Sequence, residues 1–124
     1  MREYKWVSIG CGTIANELAK SGVKLYGVAN RLYDKALAFA NKYDIEKVYK
    51  NIDDVYKDRD VDIIYISTPN NTHISFIRDA LSAGKHVLCE KSITLNSKEL
   101  EEAVELAEKN NVVLAEAMTI WFTK

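Results

Sequence analysis

Gly10, Gly12 and Ala15 fall at the spacing G-x-G-x-x-A, within Gly10-Cys11-Gly12-Thr13-Ile14-Ala15 and directly after an apolar run over residues 6–9. Residues of these types at this spacing let a backbone close on an anion. Gly10 permits a tight turn out of a strand, and Gly12, lacking a Cβ, lets main chain approach a pyrophosphate closely. The helix that follows offers unpaired N–H groups carrying about half a positive charge. Ala15 keeps helix and strand close. By itself the pattern also fits an ordinary glycine-containing turn from strand to helix, so the neighbouring loops must decide. Cys11 sits inside this turn, where a helix N-terminus could sharpen a thiol. Cys11 and Cys89 have no CxxC spacing, and read more simply as small buried residues of a reduced compartment.

Three other stretches carry side chains suited to the same ligand. Asn30-Arg31 lies eighteen residues beyond Gly12, about where an acidic residue would accept hydrogen bonds from both ribose hydroxyls of NAD. Asn30 can still bond a ribose hydroxyl without repelling a phosphate, and Arg31 can pair with a 2′-phosphate or lie against adenine. This favours NADP over NAD, the alternative being that Arg31 simply solvates a loop. In Ser67-Thr68-Pro69-Asn70-Asn71-Thr72-His73 the hydroxyl and amide groups can reach a nicotinamide ribose, and Pro69 fixes the turn. Asn70, Asn71 or Thr72 can equally cap a helix, and His73, in its first turn, can be solvated or bonded to nearby backbone. Glu90-Lys91 closes an apolar strand with adjacent opposite charges. A lysine held near a nicotinamide ring can hydrogen-bond a substrate oxygen and stabilise negative charge as a hydride moves.

These loops must be held by strands and helices in alternation. The apolar pattern predicts strands over residues 5–9, 23–29, 47–49, 62–67, 86–89 and 112–115. Helices are expected over residues 13–21, 34–43, 52–57, 72–83 and 97–109. Asn51 and Ser97 are cap candidates, and Gly22 and Gly84 are stops. Val7 and Ile9 fall on one face of the first strand and Trp6 on the other. Ile63-Ile64-Tyr65-Ile66 is a continuous apolar run, as expected of a strand covered on both faces. Uninterrupted alternation argues for an α/β fold, a doubly wound parallel sheet of Rossmann type in order 3-2-1-4-5-6, three-layer α/β/α. In that order Gly10 and Gly12 lie where the winding reverses.

With 124 residues the chain has the length of one domain. Seventeen basic residues against eighteen acidic ones leave a formal charge of -1, with no basic stripe for nucleic acid or an anionic membrane. No apolar segment reaches spanning length and no signal peptide pattern opens the chain, so a cytoplasmic location is expected. A methyltransferase using the same glycine turn fits poorly, because Asn30-Arg31 lacks the acid wanted by its adenosine ribose.

Four segments together resemble the N-terminal domain of the glucose-fructose oxidoreductase / inositol dehydrogenase family, Gfo/Idh/MocA, over nearly the whole chain. They are Gly10-x-Gly12-x-x-Ala15, Val28-Ala29-Asn30-Arg31, the stretch from Ser67 to His73, and Ala83-Gly84-Lys85-His86-Val87-Leu88-Cys89-Glu90-Lys91. The resemblance implies NAD(P)-dependent oxidation or reduction of a hydroxyl on a sugar, cyclitol or dihydrodiol-type substrate. It implies cofactor contacts from Gly10, Cys11, Gly12, Thr13, Ile14, Asn30, Arg31, Ser67, Thr68, Pro69, Asn70, His73, Glu90 and Lys91, with Lys91 catalytic and no metal. Glu90-Lys91 matches the family's Glu-Lys-Pro motif, but Ser92 replaces the proline, restoring a backbone donor and other backbone angles. Family members continue into a second domain that supplies most substrate contacts and commonly the homo-oligomer interface. Residues 1–119 are therefore expected to be the cofactor domain and 120–124, with Trp121-Phe122, the start of a crossing into the second. The leading expectation is a cofactor-binding half that lacks full catalysis alone, and the alternative is a stand-alone Rossmann nucleotide-sensing module without activity.

Overall fold

Alternating apolar residues place β1 (Trp6–Ile9) between two layers of helix, in a computed structural model that describes residues 4–10, 25–66, 73–89, 97–116 and 120–122. The remaining elements are β2 (Leu25–Ala29), α1 (Tyr33–Tyr43), β3 (Lys47–Tyr49), α2 (Asp53–Lys57), β4 (Ile63–Ile66), α3 (His73–Ser82), β5 (His86–Cys89), α4 (Ser97–Asn110), β6 (Leu114–Glu116) and β7 (Ile120–Phe122). They build one sheet in the order β3-β2-β1-β4-β5-β6-β7. The first six strands are parallel and in the expected order, with the winding reversing at β1. The helix expected over residues 13–21 and the stop at Gly22 lie outside the described residues.

Each face of the sheet has its own core. Val7, Ile9, Ile64, Ile66 and Val87 pack with Ile77, Ala80 and Leu81 of α3 and Ala103 and Ala107 of α4. On the opposite face Leu25, Val28 and Tyr65 pack with Ala36, Phe39 and Ala40 of α1. The run in β4 is covered on both sides, as its unbroken apolar pattern requires, because Ile64 and Ile66 join one cluster and Tyr65 the other. Each such aliphatic side chain, once buried, contributes about 1.5–3 kcal/mol.

Several boundaries differ from the sequence expectation for local reasons. α1 begins one residue early, at Tyr33, and its N-cap is Leu32, which has no capping side chain. α2 is capped by Ile52 rather than by the side chain of Asn51, whose carbonyl instead accepts from the Asp54 N–H at 3.1 Å. β6 starts at Leu114, two residues later than expected. The Val112 N–H still closes on Ala107 O at 3.0 Å, and the Val113 N–H is taken by Nδ1 of His86 at 2.9 Å. The stretch read as the start of a crossing adds a seventh strand, antiparallel to β6, with Leu114 opposite Phe122.

The amino ends of the strands are tied through Asp58. Its carboxylate accepts from the Lys47 ammonium at 2.7 Å, the Tyr49 hydroxyl at 2.6 Å and the Asp60 N–H at 2.9 Å. Its carbonyl accepts from Lys85 Nζ at 2.7 Å, so β3, the loop before β4 and the entry to β5 meet at one residue. Burial opposes ionisation of Asp58, but the bonds from Lys47, Tyr49 and Asp60 outweigh it and hold the carboxyl down at about 2. Burial pushes the Tyr49 phenol up and draws the Lys85 ammonium down. The folded carboxyl titrates below its unfolded value of 3.8, so its contribution to stability is whole above that pH and fades as pH falls toward 2. Thermal unfolding followed from pH 7 to 2 should show Asp58→Asn less stable at pH 7 and losing less than the wild type between pH 4 and 2. Parallel curves for the two proteins would remove Asp58 from the account.

Candidate dinucleotide site

Ala29, Ile9, Ile66 and Cys89 are register partners across β2, β1, β4 and β5. Parallel strands in register end together, so the segments that begin at Gly10, Asn30, residue 67 and residue 90 all leave the same edge of the sheet. The row spans three inter-strand steps, about 14 Å. It crosses the point where the winding reverses, the place at which open α/β sheets bind their ligands.

Gly10 is the described part of the glycine turn, and its backbone is pinned. Its φ is 106°, a region that L side chains rarely adopt, so the chain needs glycine there. Its N–H donates to Ala29 O at 2.8 Å, joining the end of β1 to the end of β2. Its carbonyl accepts from the hydroxyl of Ser8 at 2.8 Å. Ser8 is fully buried, and among the described residues only Lys85 shares the status of a buried polar or charged side chain. Sequence reasoning passed over Ser8, although a single hydroxyl inside Trp6-Val7-Ser8-Ile9, two residues before a glycine, was a visible signal.

Asn30 follows β2 directly and its Oδ1 accepts from the Leu32 N–H at 2.8 Å. This Asx turn explains the uncapped start of α1 and fixes the amide. With Oδ1 committed to the Leu32 N–H, the Nδ2 hydrogens are the amide's remaining polar groups. Arg31 is exposed, and among the described residues its guanidinium has no ion-pair partner. An amide and an exposed cation therefore stand at the end of β2. His73 is described in its backbone alone, as the first residue of α3. The remaining expected contacts, Cys11, Gly12, Thr13, Ile14, Ser67, Thr68, Pro69, Asn70, Glu90 and Lys91, lie outside the described residues. Cys89, which precedes Glu90, is buried at the end of β5. Among the described residues no helix is long and apolar enough to cross a membrane.

A doubly wound parallel sheet with a pinned glycine at its switch point belongs to the NAD(P)-binding Rossmann class. More narrowly, the chain belongs to the Gfo/Idh/MocA oxidoreductase family, whose model, described as "Oxidoreductase family, NAD-binding Rossmann fold", matches residues 4–118. Mouse trans-1,2-dihydrobenzene-1,2-diol dehydrogenase is 36% identical over 124 residues, covering 94% of this chain and 37% of its own length. An NAD-binding oxidoreductase from Klebsiella pneumoniae superposes with a TM-score of 0.86 at 26% identity, covering 94% of this chain and 34% of that one. KijD10, a 3-ketoreductase from Actinomadura kijaniata solved with NADP and TDP-benzene, gives 0.83 at 28% identity, with 94% and 37% covered. The chain spans about a third of the length of the curated relatives it matches.

Gly10→Ala forces a Cβ into the positive-φ region and should cost about 1–2 kcal/mol. Thermal unfolding would register this as a drop of several degrees, and an unchanged midpoint would mean that the turn does not need its glycine.

Proposed function

We propose that this chain is the cofactor-binding domain of an oxidoreductase that moves a hydride between NAD(P) and a hydroxyl or carbonyl carbon of a sugar, cyclitol or dihydrodiol-type substrate. The observation that carries the reading is the common row of Ala29, Ile9, Ile66 and Cys89, which launches the four motif-bearing loops from one edge of the sheet. The cofactor, when bound, supplies the ring that gives or takes the hydride. Gly10 opens the turn that receives the pyrophosphate. Lys91, one residue beyond Glu90, is placed by its motif to hydrogen-bond the reacting oxygen and stabilise charge there. Ser92 lets that turn adopt angles a proline would forbid. Residues 1–119 form the cofactor domain in this reading, and the substrate class follows the names of the dihydrodiol dehydrogenase and ketoreductase relatives.

NADP is the preferred cofactor in this proposal. The amide of Asn30 and the exposed guanidinium of Arg31, which has no ion-pair partner among the described residues, favour a 2′-phosphate, for which an acid at the end of β2 would be repulsive. Calorimetric titration of the chain with NADPH and NADH tests the site, and no heat of binding from either at millimolar concentration would rule it out. Arg31→Ala should weaken NADPH about ten- to a hundred-fold and NADH far less. An equal loss for both would assign Arg31 to the adenine instead.

A further inference from the structure

We propose that His86 is an acid-sensitive latch in the sheet, holding the start of β6 to β5 only while its ring is neutral. Nδ1 of His86 accepts from the Val113 N–H at 2.9 Å, and the Val87 N–H donates to Val113 O at 2.9 Å, so both main-chain polar groups of Val113 are held by β5. In a regular parallel ladder the Val113 N–H would go to a main-chain carbonyl of the neighbouring strand. An imidazole stands in that place, and it brings a proton equilibrium that no carbonyl has. The inference is independent of the cofactor reading, because it concerns the amino ends of β5 and β6 and not the row that ends at Cys89.

A ring nitrogen that accepts an N–H must be bare, so the single proton of the neutral imidazole sits on Nε2. A second proton can enter only at Nδ1, where it would meet the Val113 N–H head on. The bond therefore contributes fully above the ordinary histidine range, about pH 6.5, and is lost as acid charges the ring. Val113 then loses one of its two bonds to β5, at the head of a strand of three residues that also carries β7. Tyr4 meets the ring edge-on, with centroids 6.4 Å apart and planes at 88°. Asp62, just before β4, takes the His86 N–H on its carbonyl at 3.0 Å and the Lys5 N–H on its carboxylate at 2.9 Å. Lys85 precedes His86 in the chain and donates to Asp58 O. The Asp62 carboxylate and the Lys85 ammonium oppose each other in sign. The other face of β5, where Val87 packs, is covered by α3 and α4.

A histidine that serves only as a ring against Tyr4 predicts no such dependence. His86→Asn keeps an acceptor at the same distance along the side chain and does not titrate, whereas His86→Phe keeps a ring and removes the acceptor. The other histidine of the chain, His73, is common to all of these proteins, and Asp58 responds only at lower pH. Nitrogen-15 NMR and amide hydrogen exchange between pH 8 and 5 read the latch directly. The wild type should show the Nε2–H tautomer at pH 8. Protection of its Val113 amide, corrected for the intrinsic exchange rate, should fall roughly three- to ten-fold as the ring titrates. In His86→Asn that protection should stay level across the same range, and in thermal unfolding the wild type should lose stability relative to this variant as pH falls. His86→Phe should have low Val113 protection at both ends of the range, and if it does not fold the other two proteins decide by themselves. An Nδ1–H tautomer, level Val113 protection through the titration of the ring, or the same pH dependence in wild type and His86→Asn overturns the latch.

Discussion

Gly10 is the constraint that joins the carboxyl ends of β1 and β2. One residue with φ of 106° receives a bond from Ser8 within its own strand and gives one to Ala29 in the next. The first bond ties the Gly10 carbonyl to the buried Ser8, and the second fixes the ends of β1 and β2 against each other. The start of the loop at Asn30 is then fixed relative to Gly10, since Asn30 follows Ala29 immediately and its side chain is held by the Leu32 N–H. Preorganisation of this kind matters because an anion binds rigid donors without first ordering them.

The two edges of the sheet divide the labour. At the carboxyl edge β1, β2, β4 and β5 stop in register. At the amino edge Asp58 gathers Lys47, Tyr49 and Lys85, closing that end with short charge-assisted bonds. Gly27 belongs to the same economy of space. A Cβ there would meet Cε2 of Tyr49 at 2.7 Å and Lys47 O at 3.1 Å, so the glycine lets β3 lie close enough for Lys47 and Tyr49 to reach Asp58. The Arg78–Glu102 pair between α3 and α4 is exposed on both sides and adds little to this frame.

Much of the fold was legible because it rests on short-range pattern. β3 and β5 begin and end where the apolar residues predicted, and the continuous run in β4 announced a strand buried on both faces. Elements were misjudged where a distant side chain intervened. β6 starts late because Nδ1 of His86, far back in the chain, occupies the Val113 N–H that would otherwise open the strand. The cap of α1 was hidden because Asn30 bonds Leu32 from outside the helix. Nothing near residues 120–122 indicated that they would turn back on β6 and pair with it.

The sequence by itself determined the alternation of strand and helix, the order of the parallel sheet, and the residue types at the ends of β1 and β2. These follow from hydrophobic period, from the handedness of parallel crossovers and from the backbone freedom of glycine, all of which are local or topological. Only the tertiary structure decided that Ser8 faces the Gly10 carbonyl, that the Asn30 Oδ1 takes the Leu32 N–H, and that Asp58 joins three segments. Each of these depends on a single bond direction or on residues far apart in the chain, and neither composition nor spacing records such things.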